Sequence, residues 1–293
     1  MVNPYKRSDV FACRYEGHAK FNNRVSAYHV LRVKQCYPDG CLAFKWRCEL
    51  LNKGKTCPKR FKHVGRKCFG CKHFYDEKIN HQPQLLIGQD DYQNFLDELE
   101  EFEEWIESIK GRPVEFWGMV SSVKPRITKV ITSDKSTLSL EGYFLHFNDA
   151  YFNEVHWEDH CWAILYADQQ QRYQFASGDD VEFRCHAGMD KGRLIVTKIR
   201  NVEFRQKSQR STWTNSQTLV AKGAFTAFNE QPAKCLHCDQ GVLVDVVDKS
   251  NPTWQRKREL FCLRSYPDPA VCGYAAEKLL DEADMDVAHE DNC

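Results

Sequence analysis

Hydrophobic and polar residues alternate over short stretches along much of this chain of 293 residues. Alternation with a period of two is typical of β-strands that bury one face. The stretches predicted as strands are residues 8–15, 27–35, 42–47, 114–123, 143–147, 162–166, 180–186, 193–204, 242–247 and 258–261. The pattern therefore predicts a mainly β fold, and the chain length predicts more than one domain.

One segment follows the helical period instead. Between residues 89 and 110 apolar side chains recur at every third or fourth position, namely Phe95, Leu99, Phe102, Ile106 and Ile109. Asp90 or Asp91 can cap its first turn. We predict a connecting helix that packs on a domain by its apolar face. The opposite face is almost wholly acidic, so a second interpretation is that it imitates a nucleic acid and covers a basic surface.

The central region, residues 113–206, has the order strand, strand, strand, short helix, strand, strand, with the helix at residues 169–175. This order resembles the OB fold. Gly118 in the middle of the first strand suggests a bend of the kind found at a barrel corner. Residues 207–234 are polar and without a clear period, so we interpret them as a linker of low order.

The resemblance to the OB fold implies a surface for single-stranded nucleic acid, because such barrels combine a positive groove with aromatic platforms for bases. The candidate aromatic residues are Phe116, Trp117, Tyr143 and Phe147. The candidate basic residues are Lys124, Arg126, Arg184, Lys191, Arg193 and Lys198. Alternation directs about half of the aromatic rings into the barrel, and the pattern leaves open which half.

Charge is unevenly distributed, although the whole chain has 41 basic and 41 acidic residues. Residues 1–81 contain 18 Lys or Arg against 6 Asp or Glu, whereas residues 89–110 contain 1 against 9 and residues 275–293 contain 1 against 7. A basic module beside an acidic helix and an acidic tail is typical of proteins that bind a polyanion. We therefore expect nucleic acid as the partner, with single strands favoured.

The strongest basic block is residues 53–72, which have eight Lys or Arg and no Asp or Glu. Like charges at this density repel one another unless something holds the chain in one shape. A metal bound by cysteines of this block would do so, because its binding free energy becomes folding free energy. The side chains expected to contact phosphates are Lys59, Arg60, Lys62, Arg66, Lys67 and Lys72.

Cysteine is abundant, with 14 residues, of which 11 lie in residues 13–71 and 235–272. The first residues lack the apolar stretch of a signal peptide, and no stretch has the length of a membrane span. We therefore expect an intracellular protein, cytoplasmic or nucleoid-associated. In that setting, C-x2-C spacing predicts metal ligands rather than disulfides.

The N-terminal cysteine-rich module, residues 1–81, allows several ligand sets, because one site needs only four ligands. We favour Cys57 and the C-x2-C pair Cys68 and Cys71, completed by Cys41 or Cys48. A set of Cys48, Cys57, Cys68 and Cys71 could instead hold a [4Fe–4S] cluster.

A rival set pairs Cys68 and Cys71 with Cys36 and Cys41. These last two flank the turn Tyr37-Pro-Asp-Gly40, which we predict as the tip of a hairpin. His63 and His73 are further candidate ligands. Cys13, near the middle of a predicted strand, is interpreted as a small core residue.

The C-terminal region, residues 235–274, contains Cys235-Leu-His-Cys238, then Cys262 after 23 intervening residues and Cys272 after nine more. With Gly241-Val-Leu-Val between the halves, this resembles the four-cysteine zinc ribbons at the C-terminus of bacterial type IA topoisomerases. The resemblance implies a zinc site and contact with single-stranded DNA. Nothing upstream resembles the catalytic core of that family, so strand passage is not implied.

The densest polar segment, residues 148–160, includes Asp149, His156 and His160 and could hold a catalytic divalent ion, as in a nuclease. It is otherwise a polar loop between barrel strands, and no nucleotide-binding or hydrolase motif occurs in the chain. We therefore predict a non-enzymatic nucleic-acid-binding protein with two zinc sites. The alternatives are an iron–sulfur protein and a metal-dependent nuclease.

Overall fold

The computed structural model describes residues 1–210, 212–228, 232, 234–235, 238, 240–250 and 254–273. The chain divides into two compact units. The N-terminal unit comprises Asn3–Trp105 with Lys191–Arg193. The second unit comprises Met1–Val2, Ile106–Asp190 and Leu194–Cys293, and we call it the barrel unit after the barrel predicted for residues 113–206. The fold is mainly β, as predicted. The predicted acidic tail lies outside the described residues.

The N-terminal unit is built from short strands and one long helix. In chain order its elements are β1 (Phe11–Ala12), β2 (Arg24–Val25), β3 (Cys41–Cys48), α1 (Glu49–Asn52), β4 (Phe74–His81), β5 (Gln84–Leu85) and α2 (Gln89–Ile109). Strand β1 is the centre of a three-stranded sheet with the order β2-β1-β5. Strands β3 and β4 form a separate antiparallel pair, in which Cys41 lies opposite His81 and Cys48 opposite Phe74.

The prediction of a strand at residues 27–35 is wrong. This segment is helical and includes a π-helical turn at His29–Val33 that buries Val30. Short apolar runs can satisfy both periods, and here the burial of Ala27 and Val30, three positions apart, fits a helix. The turn after it leads from this helix into β3, so it is not the tip of a hairpin. Strand β3 contains the predicted strand at residues 42–47, but its partner β4 was not predicted.

Helix α2 confirms the prediction of an amphipathic helix. Its apolar face is packed, because Phe95 and Phe102 are 0% and 1% exposed. The Phe95 ring lies 6.4 Å from the ring of Phe11 in β1. On the polar side, Glu98 pairs with Arg7 at 3.4 Å. The helix therefore contributes both apolar burial and ion pairing to the N-terminal unit.

The barrel unit contains the predicted central elements with longer strands than expected. They are β6 (Pro113–Met119), β7 (Ser122–Ile131), β8 (Ser136–Phe147), β9 (Ala150–Phe152), β10 (Val155–Trp157), β11 (Cys161–Leu165), α3 (Ala167–Tyr173), β12 (Asp180–Asp190) and β13 (Arg193–Gln206). The predicted strand at residues 114–123 is divided into β6 and β7. Strands β9 and β10 form a hairpin where a polar loop was predicted.

The strands of this unit follow the order β10-β9-β6-β12-β13-β11-β8-β7, and β11 runs parallel to β13. Strands β6 and β7 are consecutive in the chain but have different neighbours in the sheet. The rings of Phe116 in β6 and Phe147 in β8 are 4.7 Å apart, although these strands are not paired. The sheet therefore curves around a shared aromatic core, to which Phe183 of β12 adds a ring stacked 4.5 Å from Phe116.

The C-terminal region continues the same sheet. Its elements are α4 (Asn215–Gly223), β14 (Thr226–Phe228), β15 (Gly241–Asp248) and β16 (Gln255–Cys262). Strand β15 runs parallel to β7, and the order continues β7-β15-β16-β14. Ile127 of β7 shares a buried cluster with Val244 and Phe261. The strands predicted at residues 242–247 and 258–261 are confirmed, but the predicted linker is wrong where α4 and β14 form.

Candidate metal centres and nucleic-acid interface

A cavity of about 150 Å³ in the N-terminal unit, the first cysteine cavity, is lined by Cys48, Cys57, Cys68 and Cys71. Cys48 ends β3. The backbone N–H of Cys71 donates to the carbonyl of Cys68 at 3.0 Å, which closes the C-x2-C turn. Gly70 within this turn has a φ of +79°, a conformation that favours glycine. The favoured ligand set thus meets at one cavity, with Cys48 as its fourth member.

Cys41 does not line this cavity. Cys41 and Cys48 are the two ends of β3, and seven residue steps of extended chain span about 23 Å. The sets that join Cys41 to Cys68 and Cys71 are therefore wrong. Cys36 lies near Cys41 instead. Burial raises the pKa of the Cys36 thiol, and the neighbouring thiols of Cys41 and Cys13 raise it further.

The basic block surrounds the first cysteine cavity. Lys59, Lys67 and Lys72 line it, as do the candidate ligands His63 and His73. All the side chains predicted to contact phosphates are exposed, namely Lys59, Arg60, Lys62, Arg66, Lys67 and Lys72. Four thiolates on one divalent ion carry excess negative charge, which nearby ammonium groups offset. The same groups would present a positive surface to a polyanion.

A second cysteine cavity, of about 20 Å³, is lined by Cys235, Cys238, Cys262 and Cys272. The backbone N–H of Gln240 donates to the Sγ of Cys238 at 3.4 Å. Burial raises the pKa of the Cys235 thiol, and the neighbouring thiols of Cys238, Cys262 and Cys272 raise it further. The positive charge of Lys234 acts in the opposite direction and lowers this pKa. All four predicted ligands of this region therefore line one cavity, beside the end of β16.

The donor chemistry of both cavities fits zinc or an iron–sulfur cluster, because four thiolates are ligands for either. In the described part of the chain, no three His, Cys, Asp or Glu side chains are grouped closely enough to hold a metal ion. Metal uptake would therefore draw the thiols inward, as expected where ion binding and local folding are coupled.

The outer face of β8 and β11 carries an aromatic strip made of Phe144, His146, Trp162 and His160. The His146 ring lies 4.3 Å from that of Trp162 and 4.9 Å from that of His160, and the Phe144 ring lies 6.2 Å from that of Trp162. The guanidinium of Arg126 in β7 lies 5.9 Å from the Phe144 ring centre. Trp162 sits opposite His146 in the register, so outward side chains of neighbouring strands meet.

A second group of rings lies on β6, β9 and β10. Trp117 stacks on Tyr151 at 4.7 Å, and Tyr151 stacks on His156 at 4.6 Å. The guanidinium of Arg205 lies 4.7 Å from the Trp117 ring centre, and the indole N–H donates to Asp180 at 2.6 Å. Trp117 therefore already has stacking partners within the protein, which makes it a poorer platform for a base than predicted.

Four predicted nucleic-acid contacts are wrong because their side chains are buried. Phe116, Tyr143 and Phe147 are 1%, 0% and 0% exposed and belong to the core. Lys124 is 9% exposed, and its Nζ donates to the carbonyl of Gly241 at 3.2 Å. These groups cannot reach a base or a phosphate without disrupting the fold.

The other predicted basic contacts remain accessible. Arg126 is half-buried and donates to the carbonyl of Glu141 at 2.9 Å. Arg184 is exposed and pairs with Glu115 at 3.0 Å. Three more predicted basic residues are exposed, namely Lys191, Arg193 and Lys198.

Several titratable groups of the polar segment at residues 148–160 contact one another, and His156 lies near both Asp149 and Glu158. His156 binds Asp149 at 2.7 Å, and the rings of His146 and His160 meet at 3.0 Å between Nε2 and Nδ1. Within the described residues these groups do not form a three-ligand metal site. The hairpin of β9 and β10 therefore gives the nuclease alternative no support.

Sequence reasoning missed Phe144, His146 and Trp162 as surface residues. The alternation that predicted strands at residues 143–147 and 162–166 also contained them, because every second position shares a face. In the first of these strands the prediction chose the inward residues Tyr143 and Phe147 instead of the outward residues Phe144 and His146.

No protein-family profile, curated protein or solved structure matches this chain. Within the described residues, no helix combines the length and apolar character needed to cross a bilayer. Function is therefore inferred from the residues of this chain alone.

Proposed function

We propose that this is a non-enzymatic, intracellular nucleic-acid-binding protein that prefers single-stranded DNA or RNA. The aromatic strip on β8 and β11, with Arg126 beside Phe144, carries this proposal. Aromatic side chains stack on bases of any sequence, at roughly 1–3 kcal/mol per base, while basic groups hold the backbone. Trp162 and Phe144 would supply the stacking, and Arg126 would supply positive charge next to it.

An OB-like barrel is part of the proposal. The order β6-β12-β13-β11-β8-β7 and the parallel pair β11 and β13 are the arrangement expected for that fold. In OB barrels the face of the second and third strands binds oligonucleotides. The corresponding strands here are β8 and β11, which bear the aromatic strip. The strand order and the aromatic strip thus favour the same location, the outer face of β8 and β11, for the nucleic-acid-binding surface.

Two zinc sites would support the binding surface. In the first cysteine cavity, Cys48, Cys57, Cys68 and Cys71 would hold the basic block in one conformation. In the second, Cys235, Cys238, Cys262 and Cys272 would stabilise the ribbon formed by β15 and β16. A bound ion in each cavity supplies folding free energy to a segment that has little apolar core of its own.

Binding of labelled single-stranded DNA, duplex DNA and RNA, measured by fluorescence anisotropy, tests the proposal. Trp162→Ala should weaken single-strand binding by roughly 1–3 kcal/mol. Trp117→Ala is the matched control, since it removes the same half-buried side chain from another face of the same barrel and should have a smaller effect. Equal affinity of wild type and Trp162→Ala would contradict the proposed interface. Cleavage of the oligonucleotides with Mg²⁺ or Mn²⁺ present would contradict a non-enzymatic role.

The volume of the first cysteine cavity favours a second candidate, an iron–sulfur protein. This cavity is about 150 Å³ whereas the second is about 20 Å³. A [4Fe–4S] cluster occupies more space than one ion and also takes four cysteine thiolates. Iron, acid-labile sulfide and visible absorption of protein purified without oxygen test this candidate. A colourless protein that contains zinc but neither iron nor sulfide would contradict it.

A further inference from the structure

Two segments of the N-terminal unit share one short pattern. Cys13-Arg-Tyr-Glu-Gly-His18 and Cys36-Tyr-Pro-Asp-Gly-Cys41 each place a glycine directly before the second of two residues that can ligate a metal. Paired zinc ligands are commonly separated by two to five residues, so that one turn brings them to the same side. Neither segment contributes to the lining of the two cysteine cavities. The pattern is therefore separate from the sites described above.

Both segments are folded into closed loops. In the first, the N–H of Cys13 donates to the carbonyl of Asn23 at 2.9 Å, and the N–H of Asn23 donates to the carbonyl of His18 at 3.1 Å. In the second, the N–H of Gly40 donates to the carbonyl of Cys36 at 2.6 Å, and Gly40 has a φ of +89°. Each loop thus returns its second ligand residue toward its first.

The two loops lie next to each other. The ring of His18 is 5.2 Å from that of His29, which begins the π-helical turn. The carbonyl of the following residue accepts the N–H of Cys36 at 3.1 Å. The thiol of Cys36 is within electrostatic reach of the thiols of Cys41 and Cys13. The contacts therefore place the two loops, which carry three thiols and one imidazole, side by side.

His18 supplies an independent observation. Its Nδ1 is buried and has no hydrogen-bond partner among the described groups, although the ring also interacts with the backbone of Cys13. Buried side-chain polar atoms nearly always have a partner, and one without a partner calls for an explanation. The side chains of Cys13 and Cys36 are also removed from solvent, at 3% and 4% exposed. A buried nitrogen without a partner, on the same loop as the buried thiol of Cys13, makes His18 a candidate metal ligand.

We propose that the N-terminal unit holds a further structural zinc ion, bound by Cys13, Cys36, Cys41 and His18. Three thiolates with one imidazole form an ordinary tetrahedral ligand set for zinc. The ion would satisfy the buried Nδ1 and tie the loop after β1 to the start of β3. Binding requires the four side chains to close on the ion, as metal-coupled folding allows. The site does not depend on nucleic-acid binding.

Zinc content of the full-length protein, measured by mass spectrometry of the metal, tests the site. Cys13→Ser, Cys36→Ser and His18→Ala should each lose about one zinc ion per chain. Cys161→Ser is the matched control for a buried thiol of the barrel unit. His81→Ala is the matched control for the imidazole, because His81 lies opposite Cys41 in β4. Full zinc in Cys13→Ser overturns the site, and loss of zinc in His81→Ala but not in His18→Ala overturns the role of His18.

A second measurement does not require folded variants. Wild-type protein is treated with a thiol-alkylating reagent, with and without a chelator, and each cysteine is followed by peptide mass spectrometry. We expect the chelator to increase modification of Cys41 severalfold, because this thiol is half-buried and would no longer be held by an ion. Cys185 is the control, since it is 1% exposed and should stay unmodified in both conditions. Continued protection of Cys41 after zinc has been removed overturns the proposal.

Discussion

A Cβ atom at Gly241 would lie 1.8 Å from the carbonyl oxygen of Cys235. No side chain fits at that distance, so glycine is required where the start of β15 passes the turn that carries Cys235. The N–H of Gly241 also donates to the carbonyl of Cys238 at 3.1 Å. A residue with no ligand atom thus sets the position of two of the four thiols in the second cysteine cavity.

Gly241→Ala should therefore disrupt the second cysteine cavity and release about one zinc ion per chain, as Cys262→Ser should. Gly273→Ala is the matched control, because that glycine is beside Cys272 and a Cβ atom added to it would meet no described atom within 4 Å. Zinc content and the Tm of the barrel unit measure the effect. If Gly241→Ala keeps its zinc and its Tm, the close contact with Cys235 does not shape the site.

The basic block should contribute to affinity through phosphate charge. Arg60, Lys62 and Arg66 are exposed and do not line the first cysteine cavity. Replacing all three by Ala should flatten the slope of log K against log salt by about two units, since each single-strand phosphate contact contributes about 0.7. The affinity should fall by about the same factor for nucleic acids of different base sequence.

Three exposed basic residues outside the block serve as the control for that experiment, namely Lys110, Arg112 and Lys135. Their replacement by Ala should leave the salt slope within about half a unit, because they are not proposed to contact phosphates. Equal salt slopes for both triple variants would show that the basic block does not contact the phosphates of the nucleic acid.

The acidic face of α2 is either a solvated surface or a cover of the basic surface, and measurements of nucleic-acid binding can distinguish the two. Glu100, Glu101 and Glu104 are exposed. If they form only a solvated surface, replacing them by Gln should change nucleic-acid affinity by less than about 1 kcal/mol, the usual limit for exposed charges. We expect this result. Binding at least tenfold tighter at low salt, with no gain at high salt, would instead show that the helix covers the basic surface.

Tyr5 should give the N-terminal unit a pH-dependent stability. Its hydroxyl donates to Glu103 and accepts from the Nε of Arg32 at 2.7 Å. Burial and the Glu103 carboxylate raise the pKa of Tyr5 from 10.0 to about 12. Because the folded pKa is the higher one, this contribution is complete below about pH 10 and is lost as pH rises toward about 12.

Tyr5→Phe should accordingly show a shallower fall in unfolding free energy between those pH values than wild type, in urea titrations at a series of pH. Tyr75→Phe, an exposed tyrosine of the same unit, should retain the wild-type slope. A Tyr5→Phe variant whose stability falls as steeply as that of wild type would mean that another group governs the alkaline transition.

Short-range patterns in the sequence determined several features of this protein independently of tertiary contacts. The spacing of Phe95 and Phe102 gave α2 its buried face, because a helix places every third or fourth residue on one side. The spacing of Cys68 and Cys71 allowed one tight turn between them. The central strands and the pair β15 and β16 likewise followed from local alternation, so the mainly β class was accessible from the sequence.

Only the tertiary structure decided which of two equivalent local choices was used. Alternation in β8 is satisfied with either Tyr143 or Phe144 inside, and the contacts of β7 and β11 bury Tyr143. The pairing of β3 with β4 placed Cys48 at the first cysteine cavity and Cys41 far from it. Which strands pair depends on residues that are distant in the chain, whereas the periodicity of the sequence shows only whether one face of an element is apolar. For that reason the sequence predicted the elements and thiol-rich segments, and the fold decided which side chains meet.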